Sequence, residues 1–502
     1  MESASTITMT TGARQRSFKC EPADCDANGN VPFMKSANMT LSPLVKDGKG
    51  FTTNGHLIHA EYCENGDSKY SGGRLVNGTA SNGSIPHHAV NGETPRKAPP
   101  SSSSSTISSS TTKHGFPVSV KLLMTAASGV VFGFAMEKGR AKLISNFTEC
   151  NACNLYLYPI TVFEPYNIRG QMLFQNFVML KMFLSAIVAS IVWFSILSLL
   201  PFTASKFQSA RNNLGCRMNS KGMAAAAIGG AMLGIGMALS GACPGAVLIE
   251  VGAGVQHAGM TFIGCLVGAV LYGITEESVN NMIRPSEQIT VKKLDEHVGV
   301  PYIIFALPVA LVIMLTLVLI EYLAPWQTEL TSPNASEVLT GLIDFISLRS
   351  WPPVLAGMLV GCLQLPIVLA VDEPIGGSRG YCTLVSQVIP MSFLEKFSPY
   401  LKASRTGLKN WWQVLYITSA IGGAAASALS SGTWSSTVGV PPLHALLGGV
   451  VMIYGSRLAG GCTSGHGLSG IGSLSILSFI AIPAMFAGGI ATAVTMTTLG
   501  IY

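Results

Sequence analysis

The chain has 502 residues, of which 11% are charged and 48% are hydrophobic, and its mean hydropathy is +0.44. An ordinary soluble protein carries about 25% charged residues, so these values exclude a typical soluble domain and predict a polytopic membrane protein. The formal net charge of +6 is small, and the sequence has no basic stripe interleaved with aromatic residues of the kind that binds nucleic acid.

Polar residues are most concentrated before residue 115. Residues 1–114 are rich in Ser, Asn, Gly and Thr and have no sustained apolar periodicity. Such a segment buries too little apolar surface to offset the entropy lost when its backbone is ordered. We therefore expect a disordered polar N-terminal tail. It has no apolar core behind its basic residues, so it is not expected to be a secretory signal peptide.

Apolar segments follow in series after residue 115, and a membrane-spanning helix needs about 20 residues. We expect an all-α polytopic membrane protein with a first membrane repeat over 115–300, a linker helix and loop over 301–350, and a second, inverted repeat over 351–502. The nine predicted spans are 117–137, 173–200, 222–240, 256–275, 301–323, 351–371, 411–431, 443–459 and 474–499.

The charges of the connections predict the orientation. Connections 206–221 and 395–410 carry an excess of Lys and Arg, and nine spans place both on the side of the amino terminus. Loop 324–350, on the opposite side, is net acidic. The positive-inside rule therefore predicts a cytosolic amino terminus, although loop 138–172 is also basic. Because no targeting signal is evident, the plasma membrane is the expected location.

Two glycine-rich turns, each with one cysteine, interrupt the apolar segments. Residues 241–245 read Gly-Ala-Cys-Pro-Gly, and residues 460–467 read Gly-Gly-Cys-Thr-Ser-Gly-His-Gly. Each is followed by an apolar stretch too short to span, over 246–255 and 468–476. Because lipid cannot bond free N–H and C=O groups, such backbone must be buried in protein or line a cavity. We expect re-entrant segments; the alternative is a pair of tight helix–helix turns that happen to contain cysteine.

The two turns belong to an internal repeat. An offset of 219 residues aligns 228–243 with 447–462 without a gap, and an offset of 228 aligns glycines of the first predicted span with glycines of the sixth. A shift of five spans is odd, so the second copy is inverted. Inverted repeats are a recurring transporter architecture, with substrate bound near the midplane by interrupted helices. The glycines aligned by the second offset are Gly129 with Gly357 and Gly133 with Gly361.

These motifs resemble the YeeE/YedE family of sulfur-transport membrane proteins, whose characterised bacterial members take up thiosulfate. The most specific motif is Arg-Leu-Ala-Gly-Gly-Cys-Thr-Ser-Gly-His-Gly-Leu-Ser-Gly at 457–470; the turn at 241–245 is second and Gly-Tyr-Cys-Thr at 380–383 is a weaker third. The resemblance covers residues 118–502. It implies an hourglass-shaped helical fold with short inward-dipping helices and cysteines at the constriction between two cavities. Those cysteines are Cys243, Cys462 and Cys382.

One cysteine of the family pattern is missing. Members usually have a cysteine shortly after the first long helix, whereas residues 139–142 here are Gly-Arg-Ala-Lys. The offset of 228 maps Cys382 onto Asn154, beside Cys153, which is a candidate replacement. Cys150 and Cys153 form a CxxC pair, but no βαβ pattern surrounds them, which argues against thioredoxin-like chemistry.

A small sulfur-containing dianion would need hydrogen-bond donors in exchange for its water. N–H groups at helix starts supply them without a cationic side chain, and Gly245 and Gly465 would let the backbone approach the ligand. Thiols are weak donors that can release what they bind. We expect Cys243 and Cys462 to act as neutral thiols, because a thiolate would repel a dianion.

Three ionisable residues near the turns each have two interpretations. His466 donates to the anion or carries a coupling proton, or it is a structural group. Arg457 raises the local anion potential or snorkels at the rim. Glu250 is a proton-coupling site or an ordinary interfacial residue. A further charged set, expected in a solvated loop, comprises Asp372, Glu373 and Arg379.

The predicted function is uptake of thiosulfate or a related small sulfur-containing anion, with no enzymatic activity, cofactor or metal. A membrane-bound sulfurtransferase would also use a cysteine near a histidine, but it needs one activated nucleophile and a soluble acceptor site. A passive anion channel stays open. The expected partners are the anion, the lipid bilayer and a soluble sulfur-handling protein, and nucleic acid is not among them.

Overall fold

The structure is a computed structural model that describes residues 116–139, 164–219, 221–283, 293–326 and 351–501, together with the backbone of four short strands. The rest of the predicted tail, and the CxxC pair, lie outside the described residues. The strands form two antiparallel pairs, Thr6–Thr11 (β1) with Arg14–Lys19 (β2) and Phe51–Thr53 (β3) with His56–Ile58 (β4).

All regular structure described from residue 116 onward is helical, as the composition predicts. The helices in chain order are Val118–Lys138 (α1), Glu164–Met172 (α2), Val178–Leu199 (α3), Pro201–Asn219 (α4), Gly222–Ser240 (α5), Ala246–Ala253 (α6), Ala258–Ile283 (α7), Leu294–Val298 (α8), Tyr302–Leu323 (α9), Pro353–Cys362 (α10), Gln364–Val371 (α11), Ser378–Val388 (α12), Met391–Phe397 (α13), Pro399–Ala403 (α14), Leu408–Ser430 (α15), Pro442–Ala459 (α16), the π-helical segment Gly465–Ile471 and Ile476–Thr498 (α17).

Seven helices in the described part of the chain are long and apolar enough to cross a membrane: α1, α3, α5, α7, α9, the α10–α11 pair and α17. They correspond to seven of the nine predicted spans. The other two predicted spans are the helices α15 and α16. Both contain buried polar side chains, which are Asn410 and Gln413 in α15 and Arg457 in the last turn of α16.

The repeat is visible in the packing of α5 against α16. A side chain at Gly229 would overlap Gly455, and one at Gly448 would overlap Gly236. The offset of 219 residues maps 229 onto 448 and 236 onto 455, so each contact is the repeat image of the other, as a two-fold relation requires. The residue numbers rise along one helix as they fall along the other. The two equivalent helices are therefore antiparallel, and the repeats are inverted relative to each other.

The first helices of the two repeats also pack in equivalent ways. Gly129 and Gly133 of α1 lie against the backbone of α15, and Gly357 and Gly361 of α10 lie against the backbone of α3. In both pairs the contacting residue numbers rise together, so the helices are parallel. Nine alternating spans require these directions, because the first and seventh run the same way, as do the second and sixth. The packing directions thus support α15 and α16 as spans.

Each interrupted helix ends on a glycine in the left-handed conformation, Gly241 with φ 68° after α5 and Gly460 with φ 83° after α16. This conformation costs glycine little and is a common way to end a helix. After the first turn, the predicted short stretch is the helix α6, which is almost wholly buried in protein. Its counterpart, Gly465–Ile471, is fully buried as well.

The second short helix differs from the prediction in its position. We expected helix over 468–476, but the π-helical segment begins at Gly465, inside the glycine-rich turn. His466 N donates to Cys462 O at 2.8 Å, and Gly467 lets the segment pack against the Phe183 ring. The glycines here therefore permit close packing of a helix instead of breaking it. π-Helical turns are rare and frequently occur at functional sites.

The helix α4 lies in the basic connection used for the orientation, and its cations are paired with acidic residues of later elements. These ion pairs tie α4 to α8 and to the second repeat. They are Lys206 with Asp372 at 3.0 Å, Arg211 with Asp295 at 2.6 Å and Arg217 with Glu373 at 2.9 Å.

Candidate functional site

The two cysteine turns meet next to the helix α12, which carries the third motif. The Cys243 thiol lies within electrostatic range of the Cys462 thiol. Tyr381 of α12 donates from its hydroxyl to Pro244 O at 2.7 Å, which fixes α12 to the first turn. The neighbouring residue Cys382 is fully buried. The structure therefore brings Cys243 and Cys462 together and places Cys382 on the helix that contacts the first turn.

The two turn cysteines have different hydrogen-bond surroundings. Cys243 Sγ accepts from Ala246 N, at the start of α6, at 3.3 Å. Cys462 Sγ lies 3.2 Å from Ser464 Oγ and also interacts with the backbone N–H of Gly465 and with the backbone and hydroxyl of Ser378. Backbone N–H groups at helix starts therefore lie against both sulfurs. More donors converge on Cys462.

Gly245 and Gly465 differ from the glycines that pack helices together. A methyl group at Gly245 would meet the Phe132 ring at 3.4 Å and Cys243 Sγ at 3.9 Å. At Gly465 its one neighbour within 4 Å would be Cys462 Sγ at 3.7 Å. These are ordinary contact distances. Each glycine therefore has room for a methyl group beside a cysteine sulfur.

The carbonyl groups at the ends of α5 and α16 are satisfied by two different side chains. A helix end leaves carbonyls without partners, which is costly in a bilayer. Arg169 of α2 donates to Ala238 O at 2.9 Å and to Leu239 O at 2.7 Å. In the second repeat, His466 Nε2 lies 3.1 Å from Ala459 O. The sequence did not reveal this role of Arg169, which lies far from the turn in the chain.

Both ring nitrogens of His466 are engaged within the protein. A carbonyl oxygen can only accept, so Nε2 carries the proton that Ala459 O accepts, and Nδ1 then accepts from Ser478 Oγ at 3.1 Å. The ring is 1% exposed. This geometry favours the structural interpretation, in which His466 holds the turn against α16 and α17.

Arg457 links the second turn to Cys382. Its Nε donates to Tyr400 Oη and its Nη1 donates to Ser378 Oγ, both at 2.9 Å. Tyr400 in turn interacts with the Cys382 thiol, and Ser378 interacts with Cys462. The side chain is buried, so Arg457 does not snorkel at a rim. Neither Ser378 nor Tyr400 has a signal in the sequence, because both contacts arise from tertiary packing.

Glu250 lies in α6 and is 3% exposed. Its carboxyl group is within electrostatic range of Cys243 and of Cys265 on α7. The residue is therefore inside the protein, next to the first turn, and not at an exposed interface. Ionisable groups in such positions are expensive and usually functional.

The loop between α11 and α12 is not the solvated loop that we expected. Glu373 is 5% exposed, and one of its carboxylate oxygens pairs with Arg217. The other carboxylate oxygen of Glu373 lies 3.8 Å from Nη1 of Arg379. The reason is the ring of hydrogen bonds that ties the loop to its neighbours. Gln364 of α11 accepts from Ile375 N and donates to Ser469, both at 3.0 Å, and Ser469 donates to Ile375 O at 2.5 Å.

Comparison with known proteins agrees with this architecture. The sequence model of a family described as "Sulphur transport" matches residues 164–491. The chain belongs to this sulphur-transport family. The match begins at α2 and includes both turns and the α12 motif, and α1 precedes it.

A curated relative of this sulphur-transport protein is a "Probable transporter" of Xylella fastidiosa (strain 9a5c). It is 27% identical over 152 residues, which are 30% of this chain and 96% of the relative. The relative is therefore much shorter than the chain described here. Family and relative together support membrane transport of sulfur compounds as the general activity.

Proposed function

We propose that this protein takes up thiosulfate or a related small sulfur-containing anion along a path that passes Cys243 and Cys462. The observation that carries the proposal is that both sulfurs have a neighbouring glycine at which the protein leaves room for a further group. Side chains at Gly245 and Gly465 would meet their neighbours at no less than 3.4 Å and 3.7 Å, respectively, whereas a side chain at Gly229 would overlap backbone. Helix packing therefore does not account for these two glycines.

The groups around this space suit a dianion with a polarisable terminal sulfur. N–H groups at the start of α6 and in the Cys462 turn would replace part of the water that the anion loses. Neutral thiols of Cys243 and Cys462 would contribute weak donors, and weak binding favours release. Cys382 would support the path through Tyr400 and Arg457. No covalent persulfide is needed, so a stable mixed-sulfur adduct during transport would contradict this part of the proposal.

Glu250 is the proposed coupling residue. It is buried next to Cys243, where a protonated carboxyl would tolerate the passing anion better than a carboxylate. Binding of a proton there would reduce the repulsion of a dianion. His466 would instead position the Cys462 turn through its contacts with Ala459 and Ser478.

A membrane-bound sulfurtransferase is less well supported. That activity needs a base beside the nucleophilic cysteine, and both ring nitrogens of His466 already have partners other than Cys462. A passive anion channel differs from a carrier only in its coupling. We further propose that the chain works in the plasma membrane with its amino terminus in the cytosol, and that a soluble sulfur-handling protein receives the anion.

Uptake of sulfur-labelled thiosulfate into proteoliposomes tests the proposal. The native protein should accumulate label above protein-free liposomes, and an imposed proton gradient should increase the accumulation. Gradient-independent equilibration would identify a channel. Release of sulfite from thiosulfate and a thiol acceptor, without uptake, would identify a sulfurtransferase and overturn the proposal.

A further inference from the structure

Arg379 lies close to two other arginines that come from different elements, and it shares an acidic partner with one of them. Arg217 comes from α4, Arg379 from the first turn of α12 and Arg457 from α16, and Glu373 pairs with the first two. Arg379 lies within electrostatic range of both other arginines. The other acidic residue of this loop, Asp372, pairs with Lys206. Among the described residues named here, the cluster therefore has more positive than negative charge.

Arg379 has the weakest ties within this cluster. Its Nη1 atom lies 3.8 Å from a Glu373 carboxylate oxygen, and its side chain is 29% exposed. Arg457, by contrast, is buried and held by Tyr400 and Ser378. Like charges held close together repel one another unless an anion lies among them. A guanidinium fork matches two oxygens of an oxyanion, which is the ligand chemistry that this arrangement fits.

The position of the cluster relative to Cys462 defines the orientation of such a ligand. Ser378 accepts from Arg457 and interacts with the Cys462 thiol. Gly376 also abuts this turn, since a side chain there would lie 3.8 Å from Gly465 Cα. An anion at the arginines would therefore lie next to the turn that carries Cys462.

We propose that Arg379 and Arg457 form an anion site that holds the oxygen atoms of a sulfur oxyanion, with its terminal sulfur directed towards Cys462. This inference rests on the proposed function and deepens it, because it assigns the two ends of the substrate to different groups. Arginines bind the charged oxygens, and the small-residue turn binds the soft sulfur. Glu373 limits the affinity by neutralising part of the positive charge.

Equilibrium binding of thiosulfate to the full-length protein in nanodiscs, measured by titration calorimetry, tests the site without requiring transport. Arg379→Gln should weaken binding by roughly tenfold or more. Arg379→Lys should weaken it less, because an ammonium keeps the charge but not the fork. Lys396→Gln, which removes the same charge from an exposed position on α13, should leave binding unchanged.

Glu373→Gln gives an effect of opposite sign. It removes the acidic partner of Arg379, so binding should become several-fold tighter, a result that structural damage would not produce. Thermal unfolding of every variant checks that the chain is folded. Four results would each overturn the anion site. The first two are equal affinity for native protein and Arg379→Gln, and equal losses in Arg379→Gln and Lys396→Gln. The other two are weaker binding in a folded Glu373→Gln variant, and no binding by native protein.

The same variants separate this inference from the proposed function. Loss of binding in Arg379→Gln, together with no thiosulfate uptake by native protein, would support the anion site and contradict transport. Uptake by native protein with an unchanged KM in Arg379→Gln would support transport and contradict the site. A raised KM with unchanged kcat is the result expected if both hold.

Discussion

Tyr381 and Pro244 are joined by a hydrogen bond of 2.7 Å from the tyrosine hydroxyl to the proline carbonyl. It connects the second repeat to the first, because Tyr381 lies on α12 and Pro244 follows Cys243. Proline has no N–H, and its carbonyl lies where lipid offers no donor. The bond therefore determines how the first cysteine turn is held.

Removal of the Tyr381 hydroxyl should weaken the attachment of the first turn while leaving the packing of the aromatic ring unchanged. Tyr381→Phe leaves Pro244 O buried without this donor, at a cost of about 1–3 kcal/mol. We expect a lower unfolding temperature and roughly tenfold slower thiosulfate uptake. Tyr322→Phe, on the exposed surface of α9, is the matched control and should change neither. Unchanged uptake in Tyr381→Phe would show that the turn is held by other contacts.

Filling the space beside the sulfurs should affect transport but not folding. Gly465→Ala and Gly245→Ala add a methyl group that meets no protein atom closer than 3.7 Å and 3.4 Å, respectively. Alanine also stabilises helical backbone over glycine by about 0.5–1 kcal/mol. We expect equal or higher unfolding temperatures with uptake reduced roughly tenfold. Gly422→Ala, at a helical position with open space around it, should preserve uptake. If all three variants transport like the native protein, the anion does not use this space.

The two interpretations of His466 predict different results for His466→Gln. A glutamine amide can donate to Ala459 O in place of the ring Nε2 but cannot carry a proton at neutral pH. If the residue positions the turn, His466→Gln should keep a substantial part of the uptake and its pH dependence, whereas His466→Ala should lose both fold stability and uptake. Uptake that is equally absent from both folded variants, or a changed pH profile in His466→Gln, would indicate proton transfer instead.

The buried pair of Arg211 and Asp295 should contribute far more to stability than an exposed pair. The Nη2 atom of Arg211 lies 2.6 Å and 2.8 Å from the two carboxylate oxygens of Asp295, and both residues are buried. Asp295→Asn leaves the guanidinium buried without its counter-charge, which costs about 3–5 kcal/mol. Glu395→Gln breaks the exposed pair with Lys402 and should cost about 0–1 kcal/mol. Denaturant unfolding in detergent compares them, and similar losses would contradict the tie between α4 and α8.

The helical spans and the inversion of the second repeat could be predicted because both follow from patterns that are visible in the sequence. Apolar segment length identifies spans, and the glycine pairs Gly229 with Gly448 and Gly236 with Gly455 fix the repeat offset. These glycines pack helix against helix, so the sequence signal and the structural role coincide. The predicted position of the second short helix was wrong, because glycine usually indicates a helix end. Only the packing of a neighbour such as Phe183 shows that these glycines lie within a helix.

The residues around the cysteines were only partly predictable. Cys243 and Cys462 stand out by their glycine-rich setting. Arg169 and Tyr400 do not, because each acts on an element distant in the chain. The charge of Glu373 predicted a solvent-exposed position, whereas the residue is buried beside arginine partners from α4 and α12. Tertiary pairing of charges leaves no periodic pattern in a single sequence.

The central claim is that the anion passes the two turn cysteines, and labelled-thiosulfate uptake by Cys243→Ser and Cys462→Ser proteoliposomes tests it most directly. Cys362→Ser, at the end of α10 and outside both turns, is the matched control. With all variants folded, uptake should fall roughly tenfold or more in Cys243→Ser and Cys462→Ser and stay native in Cys362→Ser. Native uptake by all three variants would contradict the claim and leave the thiols a packing role.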